Sequence, residues 1–149
     1  MEELYKKEFQ VGWGDLDSNA HMKNTAYLDH SATTRFSYFN ANGFSAARFH
    51  ELQFGPIVFK DEVHFQKELR LLEKFTVSFL LDGMSPDGSL FRIANEILNE
   101  KGERSALVLT HGAWFDLRKR KIIPPPQELI DVMKRLKKTP TYLEIERQK

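Results

Sequence analysis

One long helical pattern stands in a chain that otherwise reads as strands, and that imbalance limits the folds open to it. Between Asn24 and about Ala41, Leu28, Ala32, Phe36 and Phe39 fall at i, i+4, i+8 and i+11, one stripe of an α-helix, with Tyr27 and Ser31 beside it. Asn24 reads as the N-cap, and Asn42-Gly43 as the C-terminal stop. The middle of this helix, Ser31-Ala32-Thr33-Thr34, is made of small residues that let a sheet wrap closely around it.

Ahead of the helix, Phe9, Val11 and Trp13 alternate with Gln10, Gly12 and Gly14, the pattern of a short half-buried strand. Asp15 to Lys23 reads as an irregular loop. From about Ile57 to Leu117 everything reads as strand. Val58 to Gln66 has strand composition, Phe75, Val77, Phe79 and Leu81 alternate, and Phe91, Ile93 and Ile97 share a face. Ala106 to Phe115 alternates again. Ser85-Pro86-Asp87-Gly88 and Glu100-Lys101-Gly102-Glu103 are turns, and spacings this short describe an antiparallel meander. In the tail, Arg118 to Lys121 is basic and Pro124-Pro125-Pro126 is stiff chain. Gln127 to Lys138 reads as an amphipathic helix with Leu129, Ile130, Met133 and Leu136 on one face. The fold class is therefore α+β: a curved antiparallel sheet wrapped around one long helix, in a single domain over 1–149. A sheet with one helix on one face leaves edges unsatisfied, so a homodimer or homotetramer is expected.

Bulk properties narrow the function. With 149 residues, 41% hydrophobic and 29% charged, the chain can bury a core without staples. It has no cysteine, which excludes disulfides, thiolate zinc sites and cysteine nucleophiles and fits a cytoplasmic setting. A formal charge of +1 gives no field for nucleic acid or an anionic membrane, so neither is an expected partner. Met1–Phe9 is charged and lacks the apolar core of a signal peptide, and no run approaches about 18 apolar residues.

The densest polar stretch precedes the helix. Within residues 13–27, Asp15, Asp17, Asn19, His21 and Asn24 are crowded between two regular elements, which suggests a site on a rigid scaffold. Gly14-Asp15-Leu16-Asp17, then His21, Asn24 and Tyr27, together with the order of elements, resemble the hotdog-fold thioesterases of the 4-hydroxybenzoyl-CoA thioesterase type. The resemblance covers most of the chain, and it implies a sheet around a central helix and side-by-side dimers. It also implies that Asp17 is the catalytic carboxylate, that His21 and Asn24 shape the site, and that Asp15 supports it. The hydroxybenzoyl enzymes lack a histidine in this loop, so His21 fits the branch nearer to fatty-acyl thioesterases.

The implied reaction is hydrolysis of acyl-CoA or acyl-carrier-protein thioesters. Backbone N–H groups of Met22, Lys23, Asn24 and Thr25 at the helix start would polarise the carbonyl, and Asp17 would attack it or activate water. Met22, Lys23, Thr25 and Tyr27 are the substrate-binding candidates, although Tyr27 equally suits helix packing. No cofactor is expected, coenzyme A being part of the substrate, and no metal site. His64 and His111 read as strand packing or surface residues, and His50-Glu51 has no metal-ligand spacing. Asp29 and His30 read as solvent-facing, and Arg118 to Lys121 as a solvated strand end rather than a phosphate grip. Against catalysis stands the ordinary fate of Asp before a helix, which is to fold a turn. The competing functions are a non-catalytic acyl-CoA binder or sensor on the same fold, and a hotdog dehydratase, whose motif is absent.

Overall fold

The computed structural model describes residues 2–146, so Met1 and residues 147–149 of the expected domain lie outside the described residues. Strand β1 is Tyr5–Gln10, and a 3-10 turn, Trp13–Asp15, leads through a loop to helix α1, Asn24–Ala41. Helix α2 (Ala46–Leu52) follows, then strands β2 (Phe54–Phe65), β3 (Lys74–Met84), β4 (Leu90–Asn99) and β5 (Arg104–Asp116). A short β6 (Lys121–Ile122), helix α3 (Gln127–Lys134) and β7 (Lys138–Glu144) complete the described chain. The sheet order is β1-β3-β4-β5-β2, antiparallel throughout, with β6 added to β5 and β7 running parallel to β3. β1 pairs with the first half of β3, from Lys74 to Phe79, and β7 with its second half, from Leu81 to Met84.

The meander follows from its turns. Gly88 at φ +77 and Gly102 at φ +78 occupy the left-handed positions that close the two hairpins. Gly112 on β5 lets the β2 backbone and the Phe91 ring of β4 approach closely: a Cβ there would lie 2.4 Å from the Ile57 carbonyl oxygen and 2.6 Å from the Phe91 ring.

Helix α1 lies in the curve of the sheet, but rotated from the expected stripe. Its deepest face is Tyr27, Ser31, Thr34 and Tyr38, while Phe36 is 52% exposed. The physical reason is space: small Ser31 and Thr34 let the helix press against the sheet, the Ser31 hydroxyl being buried without a hydrogen-bond partner among the described residues. The Thr34 hydroxyl donates to the His30 carbonyl at 2.8 Å, and the Tyr38 hydroxyl donates to Val132 at 2.6 Å. Burial pushes the Tyr38 pKa up to about 12. Two core clusters result. An aromatic one, including Tyr38, Phe39, Phe49, Phe79 and Trp114, surrounds the C-terminal half of α1. A second, with Met22, Ala26, Tyr27, Leu69, Phe75 and Val77, fixes its N-terminal half.

Several local expectations need correction. The first strand ends at Gln10 and draws on the upstream alternation of Tyr5, Lys7 and Phe9, whereas Trp13 starts the 3-10 turn and is 81% exposed. Asn24 is not the N-cap: the extended residue before the helix is Lys23, and Asn24 is the first helical residue. The last helix stops at Lys134, and Lys138 begins a strand instead. α2, capped by Ser45, and β7 have no counterpart in the sequence pattern.

Candidate active site at the start of the central helix

The loop between the 3-10 turn and α1 is built by its own carboxylates. Asp17 Oδ1 accepts the backbone N–H of Asn19 at 2.8 Å and of His21 at 3.1 Å, while the Asp17 N–H donates to the His21 carbonyl at 2.8 Å. Ala20 takes the left-handed conformation, φ 62, that closes this turn. The ordinary role of an Asp before a helix is thus present in Asp17. It is fulfilled by one oxygen: Oδ2 carries no hydrogen bond among the described residues. The N–H of His21, then that of Asn19, hold the Asp17 pKa below its ordinary 3.8, so this exposed carboxylate is ionised across the neutral range.

Asp15 faces the other way. Its Oδ2 accepts the Gly12 N–H at 2.9 Å and stands 3.2 Å from Nε2 of His30. His30 is not solvent-facing as its helical position suggested: its ring packs at 4.6 Å from Phe9 and 5.1 Å from Phe75. Asp29 is exposed, as expected.

The expected carbonyl-polarising donors divide. Met22 N–H is committed to the Leu69 carbonyl and Lys23 N–H to the Asp15 carbonyl, each at 2.8 Å, so neither is available. Asn24 and Thr25, at the first two helical positions, have no carbonyl one turn earlier within the helix to receive their N–H groups. The Ala26 N–H already turns back to Lys23 at 3.0 Å. Two N–H groups and the positive end of the helix dipole therefore face outward beside the loop.

Next to them lies a cleft of about 280 Å³ lined by His21, Met22, Asn24 and Tyr27 from this segment and by Phe65, Gln66, Lys67 and Glu68 from the β2–β3 connection. Asp17, Lys23 and Thr25 do not line it. Met22 and Tyr27 are buried, and the Tyr27 ring meets Phe65 edge to face at 5.2 Å. Burial raises the Tyr27 pKa, with the negative charges of Glu68, Asp17 and Glu73 adding to the effect. His21 Nε2 stands 3.1 Å from Glu68 Oε2. Glu68 was missed by the sequence reading, because no local motif surrounds it and only the fold brings it to the helix start.

The other histidines behave as expected. His64 is exposed on β2 and bound to Glu62 at 2.6 Å, and His111 is half-buried on β5. Among the described residues there is no cluster of three or more His, Cys, Asp or Glu side chains able to hold a metal ion, and no helix long and apolar enough to cross a membrane. Asp116 accepts the N–H groups of Arg118 and Lys119, both at 2.9 Å, and so folds the basic tail segment into an exposed turn.

A curved antiparallel sheet closed around one buried helix, with a folded polar loop at that helix's start, defines a hotdog-fold protein. The chain belongs to the thioesterase-like superfamily, whose family model matches residues 11–133. Among solved structures, a Staphylococcus aureus protein in complex with CoA aligns at TM-score 0.81 and 15% identity, over 93% of this chain and 89% of that one. A 1,4-dihydroxy-2-naphthoyl-CoA thioesterase from Synechocystis aligns at 0.79 and 18%, over 89% and 96%. A DHNA-CoA thioesterase from Staphylococcus aureus aligns at 0.76 and 20%, over 89% and 87%. No curated protein matches the sequence.

Proposed function

We propose that the chain hydrolyses acyl thioesters of coenzyme A or of an acyl-carrier protein to free acid and thiol. The observation that carries this reading is the pairing of an ionised carboxylate with a free oxygen, on Asp17, and two outward N–H groups, on Asn24 and Thr25. The thioester carbonyl sits against those N–H groups, which take up its developing negative charge. Asp17 Oδ2 bonds to the carbonyl carbon, the C–S bond breaks with release of the thiolate, and water opens the resulting mixed anhydride. The alternative is proton abstraction from an attacking water by the same carboxylate. His21, Asn24 and Tyr27 shape the cleft for the thioester, with Met22 buried behind them. Thr25 contributes its N–H, and Lys23 fixes the chain entering the helix. Coenzyme A enters only as part of the substrate, and no metal or cofactor takes part.

The working unit is a homodimer or a tetramer of two such pairs. β2 is a twelve-residue edge strand, and its apolar Val58, Phe59 and Phe65 are exposed. Antiparallel pairing of two β2 strands would bring this edge into an interface and would set the Phe65 end of one against the Gly55 end of the other. The setting is cytoplasmic.

Release of free thiol from acetyl-, octanoyl-, lauroyl- and benzoyl-CoA and from an acyl-carrier thioester tests the reading. Turnover of at least one is expected, and no turnover of any would overturn it.

A further inference from the structure

A second cavity, of about 230 Å³, lies between the middle of α1 and strands β2, β4 and β5. Along β2 it reaches Pro56 and Val58, at the opposite end from the Phe65 that lines the thioester cleft, so within one chain the two are separate. Its walls are apolar, with Phe36, Phe39, Phe91, Ile93 and Trp114 prominent. One cation, Arg35, also lines it.

Arg35 is held from the sheet side. Its Nε donates to Asn95 Oδ1 at 2.8 Å and its Nη2 to Thr110 Oγ1 at 2.9 Å. Thr110 in turn donates to Asp61 at 2.6 Å, so the nearest acid acts on Arg35 through a hydroxyl, with no direct ion pair among the described residues. Burial lowers the Arg35 pKa, and Asp61 only partly opposes this. Arg35 is half-buried, and a partly desolvated cation without a direct counter-charge is stabilised by an anion that reaches it. Nη1 of Arg35 carries no hydrogen bond among the described residues but keeps contact with solvent, whereas the indole N–H of Trp114 is buried without a partner. The uncommitted polar groups on the lining are therefore donors, beside an apolar chamber.

We propose that this cavity binds an apolar carboxylate, its body among the aromatic walls and its carboxylate on Arg35. If the chain is a thioesterase, two sources of that chemistry exist: the free acid it releases, and a distal carboxylate on the acyl group of its substrate. Assigning the source rests on the thioesterase reading, whereas carboxylate binding does not.

The chain has two tryptophans, Trp114 on the cavity wall and the exposed Trp13, so a Trp13→Phe background makes Trp114 the fluorescent reporter. Titration with octanoate should shift its emission saturably, and neutral octanol should bind at least about tenfold more weakly. Arg35→Gln should remove the preference for octanoate. Because that variant also loses two hydrogen bonds, Ala32→Leu provides an independent test: it narrows the cavity without touching Arg35 and should abolish both signals. Equal binding of acid and alcohol, no saturable signal, or a preference unchanged in Arg35→Gln would each overturn the proposal. For the source, hydrolysis of suberoyl-CoA about tenfold faster than octanoyl-CoA, lost in Arg35→Gln, identifies the distal carboxylate. Inhibition by octanoate without that difference identifies the released acid. Fluorescence binding with no turnover of any thioester would overturn the thioesterase reading while leaving carboxylate binding standing.

Discussion

Nε2 of His21 stands 3.1 Å from Oε2 of Glu68, and this contact ties the loop ahead of the central helix to the β2–β3 connection across the mouth of the cleft. Glu68 is the more exposed partner, so the pair acts on position rather than on stability. Glu68→Gln is expected to lower kcat/KM about three- to tenfold on whichever thioester is turned over, while unfolding free energy changes by under about 1 kcal/mol. Steady-state kinetics and urea unfolding of the same preparation check both parts. A large stability loss with unchanged kinetics would show that Glu68 is merely structural.

Asp15 serves the fold. Its carboxylate holds the Gly12 N–H and faces His30, whose ring is packed between Phe9 and Phe75. Asp15→Ala should cost about 1–2 kcal/mol by loss of the cap-like bond and the buried partner. Asp15→Asn, which keeps an acceptor oxygen, should cost less. Denaturant midpoints at constant m-value measure it, and an Ala variant as stable as the wild type would contradict this role.

The exposed edge of β2 makes assembly testable. Light scattering should give twice the chain mass or a larger multiple at micromolar concentration. Phe59→Asp, at the bulge between Val58 and Lys60, should shift the population toward monomer by placing charge on that edge. A stable wild-type monomer would contradict the dimer.

How much of this was legible beforehand follows from how local each signal is. The meander was readable because alternation and the turns at Ser85–Gly88 and Glu100–Glu103 are contained in a few residues each. The rotation of α1 was not: its inward face carries Ser31 and Thr34, so apolarity pointed instead to Phe36, which the chain leaves exposed. β7 escaped notice because Pro140 interrupts it and it borrows its pairing from β3, far earlier in sequence. At the site, Asp17, His21 and Asn24 lie within one loop and could be grouped by eye. Glu68 and the Arg35, Asn95, Thr110 and Asp61 set come together only through the sheet.

Two backbone N–H groups on one oxygen give Asp17 a definite titration. Its folded-state pKa lies below the ordinary 3.8, so its contribution to stability is present above that pH and is lost as pH falls through the folded-state value. A carboxyl-carbon NMR titration should place the midpoint below 3.8. A midpoint at or above 3.8 would mean that the loop is not folded around Asp17.

The most direct measurement is thiol release by the wild type and by Asp17→Asn on the thioester that the wild type turns over best. Asn keeps the acceptor oxygen that folds the loop but removes the charge needed for attack or proton abstraction, so circular dichroism should be unchanged. The rate should fall by about 10²-fold or more. A folded Asp17→Asn that retains the full wild-type rate would contradict the assignment of Asp17 as the reacting carboxylate.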